Sequence, residues 1–167
     1  MKRLKKIALL GVITMTSICA APRSTKHQDP LAVSIKKVIQ KTKKSKVNRN
    51  KRGVVKTAKS RLGRKYRYGK YDCSKFVQDV MKASKGKKLP RTTRQQIKIG
   101  ARIQKSKAKI GDLVFFGDSN HRVGHVGIVI DPKKMLMIHN SSVKGRVVIS
   151  SYNTKYYNKK YRGVRRI

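Results

Sequence analysis

The sequence predicts an α+β domain in which helices come first and an antiparallel sheet follows. Up to Lys109 the apolar residues recur at the three- and four-residue spacing of helices, and beyond it they alternate with the period of two that is typical of strands. Turn signals such as Gly117-Asp118 and Asp131-Pro132 separate the later segments. This separation of helices from strands indicates an α+β fold rather than alternating strand and helix units.

Three helices are predicted, each from apolar residues that fall on one face. The first covers residues 53–63 and stops at a glycine. The second covers 74–83, which places Cys73 at or just before its N-terminus. The third lies within 90–100, where a proline precedes two threonines that suit a helix cap.

Five strands are predicted after the helices, each with alternating or continuous apolar residues and each bounded by residues that favour turns. A tight hairpin joins the second strand to the third. The predicted strands cover residues 113–116, 123–130, 135–139, 146–150 and 161–165.

The first 21 residues have the organisation of a secretory signal peptide. Cationic residues at positions 2–6 precede an apolar stretch over 7–18, and small residues at 19–21 suit cleavage by a signal peptidase. The apolar stretch is too short to span a bilayer, so we expect no transmembrane helix in the mature protein. We expect export to the periplasm, the cell envelope or the extracellular space, with Cys19 as an alternative site of a lipid anchor.

Residues 22–52 are rich in Lys, Ser, Thr and Asn, which predicts a basic flexible tail with room for one short helix from Asp29-Pro30. Residues 53–167 form the predicted folded domain. We expect this chain to be a monomer.

The chain carries 45 Lys and Arg residues against six acidic residues, all of them Asp, for a formal net charge of +39. Such a charge attracts polyanions of any kind, with a steep dependence on salt. Because export removes the chain from nucleic acid, the expected anionic partners are polymers of the cell envelope and not nucleic acid.

Cys73 is the one thiol left after removal of the signal peptide, and its place at a helix start suits a nucleophile. Unpaired backbone N–H groups at a helix N-terminus lower the pKa of a thiol, whereas the neighbouring Asp72 raises it. The alternative is a small, buried, unreactive cysteine.

Two of the four histidines are candidates for the base that a thiol nucleophile requires. His125 interrupts a strand, faces away from its most apolar side and lies two residues from Gly127, which leaves space for the ring. His139 ends the next strand, so the hairpin brings the two rings close, and a polar group there can hold the first imidazole in the productive tautomer. His27 lies in the tail and His121 in a polar turn.

The motifs around these residues resemble those of the NlpC-type cell-wall peptidases, a papain-like family of cysteine peptidases. The resemblance runs from about Gly53 to the C-terminus, in the order and spacing of the family. It rests on the stretches Tyr66-Arg67-Tyr68-Gly69, Tyr71-Asp72-Cys73-Ser74, Leu89-Pro90-Arg91-Thr92-Thr93-Arg94-Gln95-Gln96, Gly111-Asp112-Leu113-Val114-Phe115-Phe116, Gly124-His125-Val126-Gly127-Ile128 and Ile138-His139.

The resemblance implies a papain-like fold and hydrolysis of peptidoglycan stem peptides, at the bond between the D-glutamate side chain and a diamino acid, without metal or cofactor. It assigns Cys73 as nucleophile, His125 as base and His139 as the orienting third residue. The resemblance also implies that Tyr66 helps to hold the oxyanion or the substrate, and that Asp72 and Ser74 contact the stem peptide, Asp72 through a free amine.

The sequence departs from the family pattern at Lys70, in a shortened loop, and at Lys75, where a small residue is usual. These departures leave open which stem peptide is cut. The remaining cations and tyrosines near the motifs are interpreted as solvated surface residues, namely Arg91, Arg94, Tyr68, Tyr152, Tyr156, Tyr157 and Tyr161.

Two other functions stay open on the sequence. The same scaffold can carry an amidase that cuts between glycan and peptide, or an acyltransferase. The chain can also be a basic wall-binding protein in which the thiol has no chemical role.

Overall fold

The computed structural model of the chain describes residues 30–119 and 121–167. The chain divides into two compact units, residues 1–37 and 38–167. The described part of the first unit, 30–37, is helical. The predicted signal peptide and Cys19 lie outside the described residues.

Helix α1, Pro30–Lys59, is one continuous helix and contains no acidic residue in its first turn. The prediction of a short helix followed by a separate one from residue 53 is therefore wrong, and the boundary predicted at Gly53 falls inside α1. Lys, Arg and Gln are good helix formers, and an interior Gly costs only about 1 kcal/mol. Burial of Val54 and Ala58, both 0% exposed, stabilises the C-terminal part of the helix.

Helices α2, Cys73–Lys85, and α3, Thr93–Gln96, carry the caps that the sequence indicates. The Asp72 side chain caps α2 by accepting a hydrogen bond from the backbone N–H of Lys75. Thr92 and Gln95 form a capping box at α3. The prediction that Cys73 starts a helix is confirmed, whereas α3 is shorter than predicted.

The six strands form one antiparallel sheet in the order β1-β6-β2-β3-β4-β5. Their bounds are β1 Ala101–Ile103, β2 Leu113–Gly117, β3 Val123–Asp131, β4 Leu136–Ser141, β5 Arg146–Ser151 and β6 Tyr161–Arg166. All five predicted strands are present, and the predicted α+β arrangement is confirmed. The sequence analysis missed β1, a 3₁₀ turn at Lys105–Lys107 and helix α4, Lys155–Lys160.

Strand β4 differs from the prediction at both ends. Met135 has a φ of 50°, so it belongs to the turn and not to the strand. His139 lies within β4 rather than at its end, because pairing with β5 continues as far as Ser141.

Apolar side chains cover both faces of the sheet. On one face, α2 packs through Phe76 and Val80 against the β3 residues Val126 and Ile128, all 0% exposed. A second cluster covers the opposite face. Its buried members are Ala108, Val114, Phe116, Val129, Met137, Tyr152 and Val164.

The surface interpretation is wrong for Tyr152, which is 1% exposed and belongs to the second cluster. It holds for Tyr68 and Tyr156, which are 90% and 65% exposed. Among residues 30–119 and 121–167, no helix has the length and apolar character needed to cross a membrane.

Gly127 in β3 permits the close approach of β4. A β-carbon at this position lies 2.6 Å from Sδ of Met137 and 3.3 Å from Cβ of His139, whereas a β-carbon at Gly124 meets no atom within 4 Å. A larger residue at Gly127 therefore forces the Met137 side chain to move and crowds Cβ of His139.

We predict that Gly127→Ala lowers the free energy of unfolding by about 1 to 3 kcal/mol, because it overpacks a buried contact. Gly124→Ala, on the same strand, is the matched control, and we expect it to change stability by less than about 0.5 kcal/mol. Urea unfolding followed by circular dichroism measures both. Equal stabilities of the two variants contradict this packing.

Candidate active site

His125 and His139 form the best-defined polar contact of the site. Nε2 of His125 lies 2.8 Å from Nδ1 of His139, and the two rings meet edge to face with centroids 4.9 Å apart. His139 is 1% exposed. Burial lowers the pKa of both imidazoles, and the positive form of His139 lowers the pKa of His125 further. Both rings are therefore neutral near neutral pH, and each carries a single ring proton.

Each nitrogen of the pair can be accounted for. Nε2 of His139 lies 3.1 Å from Oγ of Ser150 on β5. With Nδ1 of His139 used by His125, both nitrogens of the inner ring have a partner. Nδ1 of His125 has no hydrogen bond to any residue in the described part of the chain, so this nitrogen is available to a reacting group.

Cys73 lies against the backbone on either side of His125. The side chain is 7% exposed, and Sγ lies 3.8 Å from the carbonyl oxygen of Gly124. A hydrogen bond from the backbone N–H of Val126 favours the thiolate form. Among residues 30–119 and 121–167, the thiol thus hydrogen-bonds to the carbonyl of Gly124 and to no imidazole. The strand that carries this carbonyl is the one that bears His125.

The expectation of a lowered thiol pKa is wrong. Burial raises the pKa of Cys73 to about 11, and the charge of Asp72 acts in the same direction. Backbone N–H groups of Val126, Ser74 and Cys73 itself oppose this shift without overcoming it. A thiol with this pKa is protonated at neutral pH, so it requires a base at the moment of attack.

The start of α2 is held by a network around Asp72. Its Oδ1 accepts hydrogen bonds from the Ser74 hydroxyl at 2.8 Å and from the Lys75 backbone N–H at 2.9 Å. Arg91 binds both carboxylate oxygens, at 3.0 and 2.7 Å. Burial alone raises the pKa of Asp72, but these hydrogen bonds lower it below its ordinary value. The carboxylate therefore stays ionised and capped.

Arg91 also joins the network to the preceding loop. It donates to the Ser74 hydroxyl at 2.8 Å and to the carbonyl oxygen of Gly69 at 2.5 Å. The interpretation of Arg91 as a solvated residue is therefore wrong, whereas Arg94 is exposed and has no hydrogen bond or ion pair with the described residues. The polar atoms of Asp72 and Ser74 are engaged within the protein.

Two neighbouring cavities contain the predicted site residues. One, of about 690 Å³, is lined by Tyr66, Asp72, Cys73 and Ser74. The other, of about 760 Å³, is lined by His125, His139 and Ser150 among others. Three residues line both cavities, namely Asp118, Arg122 and Gly124.

Tyr66 and His121 have different positions relative to these cavities. The backbone N–H of Tyr66 donates to the carbonyl oxygen of Gly145 at 2.8 Å, which fixes the residue beside the cavity. Burial and the negative form of Cys73 raise the pKa of Tyr66, so its hydroxyl remains a donor. His121 is exposed and lies outside both cavities, as predicted. In the described part of the chain, no cluster of His, Cys, Asp or Glu residues has the makings of a metal site.

Comparison with known proteins shows the family to which the chain belongs. The model of the NlpC/P60 family matches residues 63–166 of this chain, which include the thiol, both imidazoles and the network around Asp72. The chain belongs to the NlpC/P60 family. The resemblance predicted from the sequence motifs is thereby confirmed.

Relatives in the family match the chain over nearly its whole length. The probable endopeptidase NlpC homolog of Haemophilus influenzae is 32% identical, and the match covers 98% of this chain and 99% of that protein. The Escherichia coli protein named murein DD-endopeptidase MepS/murein LD-carboxypeptidase is also 32% identical, over 98% of this chain and 92% of the relative.

A solved NlpC/P60 structure from Bacillus cereus has the same fold. It superposes with a TM-score of 0.64 at 30% identity, over 70% of this chain and 39% of the Bacillus chain. This chain thus spans less than half of that protein. The predicted papain-like α+β fold is confirmed for the part that superposes.

Two polar residues of the candidate site, Arg91 and Ser150, were not predicted from the sequence. A signal for Arg91 was present, because Asp72 is one of only six acidic residues and stands directly before a helix. A partly buried carboxylate in that position favours a cationic partner. A signal for Ser150 was weaker, since it depends on the register between β4 and β5.

We predict that Arg91→Ala lowers the free energy of unfolding by about 1 to 3 kcal/mol, because it leaves the partly buried Asp72 carboxylate without its bidentate partner. Arg94→Ala removes an unpaired cation from the 690 Å³ cavity, which Arg91 also lines, and is the matched control. Chemical unfolding of both variants at pH 7 measures the difference. A loss no greater in Arg91→Ala than in Arg94→Ala means that the ion pair contributes nothing to stability.

Proposed function

We propose that this chain is a peptidoglycan endopeptidase in which Cys73, His125 and His139 act as nucleophile, base and orienting residue. The observation that carries the proposal is the imidazole pair, held by a 2.8 Å contact on the strand against which the thiol packs. Membership of the NlpC/P60 family supports the same reaction class, as do the endopeptidase names of the full-length relatives.

In the first step the Cys73 thiol gives its proton to Nδ1 of His125 while Sγ attacks the carbonyl carbon of a stem-peptide amide. The raised pKa of the thiol and the lowered pKa of the imidazole both favour neutral partners at rest. Proton transfer therefore accompanies attack. The N–H at Nε2 of His125 continues to donate to His139 throughout.

The tetrahedral intermediate then places a negative charge on the former carbonyl oxygen. The backbone N–H of Cys73 and the hydroxyl of Tyr66 are the proposed donors to this oxygen. His125 returns its proton to the leaving amine, the carbon–nitrogen bond breaks, and a thioester remains on Cys73. Water, with His125 again as base, releases the acyl group.

The proposed bond is the one between D-glutamate and the diamino acid of the stem peptide. Asp72 suits a free amine, because Arg91 is the one donor to Oδ2 among the described residues and leaves this oxygen a further acceptor site. Ser74 is the proposed neighbour in this contact. The name of the Escherichia coli relative favours a second candidate, a DD-endopeptidase that cuts cross-links between stem peptides.

Export and charge complete the proposal. The first 21 residues remain the predicted signal peptide. Residues 22–52 are a basic segment that is helical from Pro30, and the proposed catalytic domain lies within 53–167. The high positive charge, formally +39 for the whole sequence, draws the enzyme to anionic polymers of the envelope, where its substrate lies. Lipid attachment at Cys19 remains an alternative form of anchoring.

We predict that Cys73→Ala reduces cleavage of purified muropeptides by at least about a thousandfold, because it removes the nucleophile. The fold remains, since alanine fits the space of the buried thiol. His121→Ala, which removes an exposed imidazole, is the control and retains native activity. Mass analysis of the products measures both variants and identifies the bond.

The same masses separate the alternatives. A new free amine on the diamino acid indicates the proposed bond, and separated stem peptides indicate a DD-endopeptidase. Release of whole stem peptides from glycan indicates an amidase, and products heavier by an acyl group indicate a transferase. Undiminished cleavage by Cys73→Ala, or binding to cell walls without any product from the native chain, contradicts the proposed mechanism.

A further inference from the structure

Ser150 extends the imidazole pair by one residue. It lies on β5 opposite Met137, next to the pair formed by His139 and Val148. Its hydroxyl oxygen lies 3.1 Å from Nε2 of His139. Among the described residues, His139 thus has two hydrogen-bond partners, His125 on one ring nitrogen and Ser150 on the other.

The contacts His125–His139 and His139–Ser150 permit two arrangements of protons. If His139 carries its proton on Nε2, that N–H donates to Ser150, and Nδ1 accepts the N–H at Nε2 of His125. Nδ1 of His125 is then a lone pair, which can receive the proton of Cys73. If His139 carries its proton on Nδ1, donor and acceptor exchange roles in both hydrogen bonds. Nδ1 of His125 is then already protonated. Only the first arrangement provides a base.

We propose that Ser150 is a positioning residue whose hydroxyl oxygen accepts the Nε2–H of His139 and thereby stabilises the tautomer that leaves Nδ1 of His125 free for the thiol. The inference rests on the proposed function in one respect, the role of His125 as base. Ser150 contacts neither the thiol nor His125, so it acts through His139.

Burial gives the hydroxyl its influence. His139 is 1% exposed, and an N–H group buried without an acceptor costs about 1 to 3 kcal/mol. A ring nitrogen left as an unpaired lone pair is tolerated more readily than an orphaned N–H. Loss of the Ser150 oxygen therefore shifts His139 toward the tautomer that blocks His125.

The test compares Ser150→Thr with Ser150→Val. The two variants have nearly the same shape and both suit a strand, but only threonine keeps the hydroxyl. We expect kcat/KM on muropeptides to stay close to native in Ser150→Thr and to fall about tenfold or more in Ser150→Val. Ser106→Ala, which removes an exposed hydroxyl outside both cavities, is the control and leaves kcat/KM unchanged.

Nitrogen-15 NMR of the histidine rings reads the tautomers directly. In the native chain we expect His139 and His125 both to be protonated on Nε2, and in Ser150→Val the protonated Nε2 signal of His139 to weaken. Native His139 protonated on Nδ1 overturns the proposal, as does equal kcat/KM for Ser150→Thr and Ser150→Val.

The NMR measurement needs no turnover, so it separates this inference from the proposed function. Protonation at Nε2 of both rings, lost in Ser150→Val, supports the role of Ser150 even if muropeptides prove not to be the substrate. Cleavage that persists in Cys73→Ala removes the nucleophile without changing the ring signals. The native spectrum decides the proposal even if a Ser150 variant does not fold.

Discussion

The contact between His125 and His139 is the constraint on which the rest of the site depends. A 2.8 Å hydrogen bond between two neutral imidazoles holds the outer ring in place and couples its protonation to the tautomer of the inner ring. It requires that β3 and β4 approach closely, which Gly127 permits. Strands β3 and β4 of the sheet therefore position the two rings, and Nδ1 of His125 is the ring nitrogen without a partner among the described residues.

A second constraint concerns the scarcity of carboxylates. The chain has six Asp residues and a charge of +39, and Asp72, Asp79, Asp112 and Asp118 each form an ion pair with a Lys or Arg. Asp72 caps the helix that starts with Cys73, although its charge raises the pKa of the thiol. Arg91 offsets this effect by pairing with Asp72. The helix start is thus well capped, while the thiol remains protonated until a base acts.

Much of this architecture follows from local sequence patterns. The alternation beyond Lys109 predicts five of the six strands, and the position of Cys73 at the start of α2 follows from helical spacing and from the cap at Asp72. These features depend on neighbours close in sequence, where periodicity and capping carry clear signals. The missed β1 and α4 are short and carry weak signals.

Features that depend on residues distant in sequence cannot be predicted from such local patterns. Burial raises the thiol pKa, and burial depends on how α2 packs against β3. The bonds from Arg91 to Asp72 join residues 19 positions apart, and the contact between His139 and Ser150 depends on strand register. Tyr152 was interpreted as a surface residue because local periodicity does not indicate the second apolar cluster on the sheet.

The claim that the two imidazoles act as one unit is tested most directly by a double-mutant cycle on kcat/KM with muropeptide substrate. The proteins compared are the native chain, His125→Ala, His139→Ala and the double variant. Because His139 works only through His125, we expect the double variant to lose no more activity than His125→Ala alone. If the two losses instead multiply, the residues act independently and the account of the site is wrong.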